Sequence, residues 1–76
     1  MARTIATTTT VSRDGLLEFV RPRHQAILTT IRRDGRPQMS PNTLGVDDEG
    51  RLVISSYPMR AKVHNIRRNP AVSVCV

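Results

Sequence analysis

Aromatic side chains are almost missing from this sequence. Tyr57 and Phe19 are the only two among 76 residues, and tryptophan is absent. Hydrophobic residues make up 38% of the chain, so a large autonomous core is excluded. A chain of this length buries only about 60% of the surface it exposes when unfolded and is marginal without further support. A partner or additional chain is therefore expected. Cysteine is equally scarce. Cys75 stands alone, which excludes an intrachain disulfide and any CxxC pair for zinc, and favours a reducing, cytoplasmic setting. No run approaches the roughly 18 apolar residues of a membrane span. Met1 to Thr10 has one charge and four consecutive threonines where an export signal needs an apolar stretch. Acidic residues are few, six against twelve basic ones, for a formal charge of +6. Eleven of the twelve cations are arginine, a balance that fits phosphate, nucleic acid or plain solubility until their placement is considered.

What is present is ordered by period. Residues 1–11 hold no period of 2 or 3.6 and read as a flexible N-terminal arm. Ser12 is a good N-cap, followed by Asp14 and then Leu16, Leu17, Phe19 and Val20 before Pro22, which predicts a short amphipathic helix despite Gly15. From His24 to Arg32 the residues are rich in β-branched types, with apolar groups on both alternating faces, as in a strand covered on both sides. Asp34-Gly35 marks a hairpin, and Pro37 stands where the next strand begins. Gln38 to Val46 is the return strand, with Pro41 arguing for an edge or a bulge. Asp47-Asp48-Glu49-Gly50 lacks the alternating ligand spacing of a calcium loop and reads as a solvated turn. Arg51 to Ser56 forms a third strand. A helix is predicted from about Met59 to Arg68, with Pro58 in its first turn and Val63 and Ile66 facing inward. Ala71 to Val76 alternates as a strand, with Val72, Val74 and Val76 on one face. The pattern is mainly β with short helices: helix, three-strand meander, helix, strand. An unclosed sheet of this kind leaves edges exposed, so residues 12–76 are expected to be the N-terminal part of a larger barrel.

The stretch Ser55-Ser56-Tyr57-Pro58-Met59-Arg60-Ala61-Lys62 sets two hydroxyls at a strand end and two cations around a helix start. Free N–H groups at a helix N-terminus, serine donors, a bidentate arginine and a lysine together suit a phosphate. Without an anion, cations there oppose the helix dipole. Solvated cations beside a serine cap fit the local pattern equally well. His24 and His64 are expected at the surface, Cys75 as a small packed side chain, and Met39 and Met59 as packing residues, with Met59 also placed to touch a cofactor ring.

Leu28 to Gln38, containing the pattern T-I-x-x-D-G-x-P, is followed by Pro58 to Pro70 with R-A-K-x-x-N-[IL]-x-x-[DN]-P. In this order and spacing the chain from Leu16 to Val76 resembles the pyridoxamine 5′-phosphate oxidase-like split-barrel family, closest to its branch using the deazaflavin coenzyme F-420. Family members are roughly twice as long. The resemblance implies a six-stranded split β-barrel, a homodimer with two cofactors at the subunit interface, and hydride transfer in which the cofactor supplies the reactive carbon. It carries phosphate contact to Ser55, Arg60 and Lys62 and groove lining to Gln38, with Ser56 and Asn42 added as neighbours. No catalytic residue or metal ligand is implied. The strand arginine that contacts phosphate in FMN-using oxidases is replaced near Met39-Ser40, so deazaflavin ranks before FMN. Two other readings remain: a nucleic-acid-binding module using Arg32, Arg33, Arg36, Arg67 and Arg68, disfavoured by the lack of stacking aromatics, and a non-catalytic deazaflavin carrier.

Overall fold

The computed structural model describes residues 10–76. The first nine residues of the expected arm lie outside that range; Thr10 and Val11 are exposed and have no regular structure. Six elements follow in order: α1 (Arg13–Val20), β1 (Gln25–Ile31), β2 (Pro37–Val46), β3 (Leu52–Ile54), α2 (Ala61–Arg68) and β4 (Ser73–Cys75). The strands form one antiparallel sheet in the order β3-β2-β1-β4.

Two turns of the same build set the meander. In each, an N–H closes on the carbonyl three residues before it, Gly35 on Arg32 and Gly50 on Asp47. Both glycines take positive φ, 87° and 78°, where a side chain would be strained. An acidic residue holds each turn: Asp34 accepts from Arg36 N–H and Asp47 from Glu49 N–H. The first turn fixes the register Ile31 opposite Pro37, which continues to Gln25 opposite Thr43.

That register explains Pro41. Leu44 N–H donates to His24 carbonyl at 2.8 Å, so by the alternation of antiparallel pairs Ile27 and Pro41 form a non-hydrogen-bonded pair. The proline nitrogen thus points away from β1. On that side β3 pairs only with Leu44 to Val46, so Pro41 removes no ladder bond even though its strand is internal to the sheet.

One sheet face is covered, by α1 at one end and α2 at the other. Val20 packs with Ala26 and Leu44, and Val46, Ile54 and Val74 close around them. Leu17 and Leu28 complete the buried apolar set. Ser12 Oγ accepts from Gly15 N–H at 3.1 Å to cap α1, and Arg13 ties the helix to the second turn through Glu49 carbonyl at 2.8 Å.

The opposite face is uncovered, which corrects several expectations. β1 is buried on one side only: Ala26, Leu28 and Thr30 are buried, whereas Ile27 is 40% exposed. Cys75, opposite Ile27, is exposed and not packed. Met39 shares this face and is 67% exposed, and Met59, in the turn before α2, is 82% exposed. Neither methionine packs against the described residues, because none of the described elements lies over it. The second helix begins at Ala61, not Met59. Arg60 N–H bonds to Tyr57 carbonyl in a separate turn, and Arg60 itself is extended. Val63 and Ile66 are only half-buried, and Asn65 between them is the buried residue.

Candidate functional site: a basic groove between the second strand and the second helix

β2 turns its alternate residues Gln38, Ser40 and Asn42 to the face that α2 crosses, opposite Thr30, Leu28 and Ala26 of β1. A polar strip therefore runs beneath the start of α2. Between them opens a groove of about 840 Å³, within the usual range for a small-molecule site. All six residues singled out in the sequence, Gln38, Asn42, Ser55, Ser56, Arg60 and Lys62, line it. Ser40, Thr43, Tyr57 and Ala61 join them, and these were not foreseen. Ser40 was findable in principle, since the strand period places it between Gln38 and Asn42.

Arg60 is the N-cap of α2 but contributes no capping bond, because a guanidinium has no acceptor to offer. The first N–H groups of the helix are left without a side-chain partner, and no acidic residue stands in the first turn. The Arg60 guanidinium lies 5.9 Å from the centre of the Tyr57 ring. Lys62 is anchored differently. Its Nζ donates to Asn42 Oδ1 at 2.6 Å, while Asn42 Nδ2 donates to Ser40 carbonyl at 2.8 Å and Ser40 Oγ at 3.1 Å. One of three ammonium protons is engaged and two remain for a ligand. Ser56 Oγ donates to Tyr57 carbonyl at 3.2 Å, and Ser55 is exposed at the rim.

Charge is uncompensated here. Among the described residues the ion pairs join Arg32 and Arg36 to Asp34, and Arg51 to Asp47 and Glu49. Among these residues neither Arg60 nor Lys62 has a carboxylate partner, and no described acidic side chain lines the groove. Two cations, a helix N-terminus and several hydroxyls thus converge on one opening, an arrangement that favours an anion. The other described arginines are dispersed over α1 and the segment after it, the two turns and the end of α2. His24 and His64 are exposed, and no group of three or more His, Cys, Asp or Glu among the described residues is arranged to hold a metal.

Asn65 was missed. It is 6% exposed and hydrogen-bonds Thr30, Gln38 and Arg68. The available signal was its place in the helix, one turn after Lys62 and so on the same face.

Residues 12–76 match the family model described as pyridoxamine 5′-phosphate oxidase. The chain belongs to that family. Among solved structures it is similar to the conserved hypothetical protein Rv2991 from Mycobacterium tuberculosis, at 26% identity and a TM-score of 0.78 over 95% of this chain and 44% of that one. A second structure, 17% identical with a TM-score of 0.74 over 82% of this chain and 53% of the other, shares the fold. The chain spans about half the length of the structures it matches. The fold is accordingly that of the split-barrel family, and no described helix is long and apolar enough to cross a membrane.

Proposed function

We propose that this chain forms the phosphate-binding side of the cofactor groove in a flavin- or deazaflavin-dependent oxidoreductase. One observation carries the reading: Arg60 and Lys62, free of carboxylate partners, face the same groove as Ser55, Ser56, Gln38 and Asn42. Family membership supplies the chemical class. Bound there, the cofactor would supply the carbon that gives or accepts a hydride. The chain's own residues bind and orient it. Arg60 takes phosphate oxygens through two parallel N–H bonds, Lys62 adds a point charge held in place by Asn42, and Ser55 and Ser56 donate hydroxyls. Gln38 lies farther along the groove, where it would meet the ring system.

Deazaflavin coenzyme F-420 is the first choice of cofactor and FMN the second. The groove-facing residues of β2, Gln38, Ser40 and Asn42, are all neutral, which supports a site lacking the strand arginine of FMN-using oxidases. A homodimer is the proposed assembly, supported by the uncovered apolar face bearing Ile27, Met39 and Val53. Residues 12–76 are proposed to form part of one split-barrel domain, and the single exposed thiol fits a cytoplasmic location.

The test is a fluorescence titration of oxidised deazaflavin coenzyme and of FMN against the wild type and Lys62→Ala at near-physiological salt. Saturable binding is expected, tighter for the deazaflavin. Loss of a charge-assisted contact in Lys62→Ala should weaken it roughly 10- to 100-fold. A folded chain that binds neither cofactor would overturn the proposal and bring nucleic acid forward, recognisable by binding that collapses with salt and tolerates Lys62→Ala. Binding without turnover of any hydride acceptor would identify a carrier.

A further inference from the structure

Arg68 and Asn65 on α2, with Thr30 and Gln38 beneath them, form a one-directional chain of hydrogen bonds. Arg68 Nη2 donates to Ile31 carbonyl at 3.0 Å and to Asn65 Oδ1 at 3.1 Å. Asn65 Nδ2 donates to Thr30 Oγ1 at 3.1 Å and to Gln38 Oε1 at 3.0 Å. A guanidinium can only donate. The Asn65 atom facing it must therefore be the oxygen, which turns the amide nitrogen towards Thr30 and Gln38. Gln38 must then answer with its own oxygen. Its Nε2 meets no acceptor among the described residues and is not sealed from solvent, and the residue lines the groove.

We propose that Arg68, acting through Asn65, fixes the amide polarity of Gln38 so that the groove is offered a donor and not an acceptor. Asn65 and Arg68 are positioning residues, and Gln38 is the specificity-determining contact. An unconstrained glutamine rotates its amide to suit either kind of ligand group, whereas this one is held by a buried asparagine whose two amide protons are both engaged. The ligand group selected is a hydrogen-bond acceptor on a ring, a carbonyl oxygen or an unprotonated ring nitrogen. Matching the fixed donor to such an acceptor favours the oxidised, acceptor-rich form of a ring over a form protonated at that edge. This inference rests on the groove being the cofactor site, but the orientation itself is testable without a ligand.

Two substitutions probe it. Asn65→Asp keeps the shape and the contact to Arg68 but replaces the donor facing Gln38 with an acceptor, so the Gln38 amide should reverse. Arg68→Met removes the guanidinium that sets the direction and leaves Asn65 free to turn. Side-chain amide NMR of the full chain reads the orientation. In the wild type the Asn65 amide protons should exchange slowly and those of Gln38 fast, and in Asn65→Asp the Gln38 protons should become protected. Protected Gln38 protons in the wild type would overturn the proposal whatever the chain binds. FMN and inorganic phosphate are then titrated separately. Asn65→Asp should weaken FMN about five- to tenfold, the worth of one hydrogen bond, and leave phosphate unchanged. It should cause no further loss in a Gln38→Leu background. Equal losses in both backgrounds, or a parallel loss of phosphate, would reduce Asn65 to a packing role and sink the idea. Should Asn65→Asp fail to fold, Arg68→Met carries the same test, with Gln38 protons expected to gain partial protection. A wild type that shows the expected proton exchange yet binds no FMN or deazaflavin would instead strike at the cofactor assignment.

Discussion

Asp47 holds the second hairpin from three directions. Its Oδ1 accepts from the backbone of Arg51 at 2.8 Å and of Glu49 at 2.9 Å, and its Oδ2 meets Arg51 Nε at 2.7 Å. The Arg51 backbone bond first, and the Arg51 side chain next, hold this carboxyl below its ordinary value of 3.8. A depressed folded value stabilises the fold above the ordinary value, and that contribution disappears as pH falls through the folded one. Thermal melts across pH should therefore separate wild type from Asp47→Asn above about pH 4 and bring the two together in more acidic solution. A gap that persists unchanged at low pH would show that the charge of Asp47 is not what the turn uses. The carboxylate was legible as part of a polar turn, but its three bonds were not, because composition does not say which of three adjacent acids points inward.

Helix α1 rests on a single cap. Ser12→Ala leaves Gly15 N–H without its acceptor, and the expected cost is about 1 kcal/mol, read as a lower urea midpoint with an unchanged slope. Such a loss is a substantial part of the stability available to a chain with five buried apolar residues among those described. This helix, both Gly turns and the strand order of the meander were legible because their signals are local: a hydroxyl before an apolar stripe, Asp-Gly, alternation. Elements whose surroundings come from elsewhere were less so. The two-sided apolar pattern of β1 is real, yet no described element covers Ile27. In α2 the apolar stripe drew attention to Val63 and Ile66, while the helix crosses a polar strip on β2 and so buries Asn65. For the groove, residue types and spacing indicated Ser55, Ser56, Arg60 and Lys62, whereas Gln38 and Asn42 came only with the family resemblance. Their convergence depended on β2 pairing with β1 in one register, which puts Gln38 and Asn42 on the helix side and Met39 and Pro41 on the other.

Across the whole molecule, the charge of +6 gives a field that draws anions towards the groove from beyond contact distance, and salt screens it. Stopped-flow association of FMN should slow as ionic strength rises, whereas riboflavin, which lacks the phosphate, should show little change. Equal salt dependence for both would place the attraction elsewhere than the Arg60–Lys62 groove. The strand order has a further consequence in time. β1 is paired on one edge by the strand made immediately after it and on the other by β4, made last among the described elements, with α2 in between. On the ribosome the β1–β2–β3 meander can form as soon as it emerges, while the second edge of β1 waits until α2 and β4 have followed. During that interval Ile27, Leu28 and Thr29 present unpaired backbone groups, and a β4 strand from another nascent chain fits them as well as the chain's own. Spacing between neighbouring ribosomes, and the speed at which α2 and β4 are translated, thus bear directly on how many molecules reach this fold unexchanged.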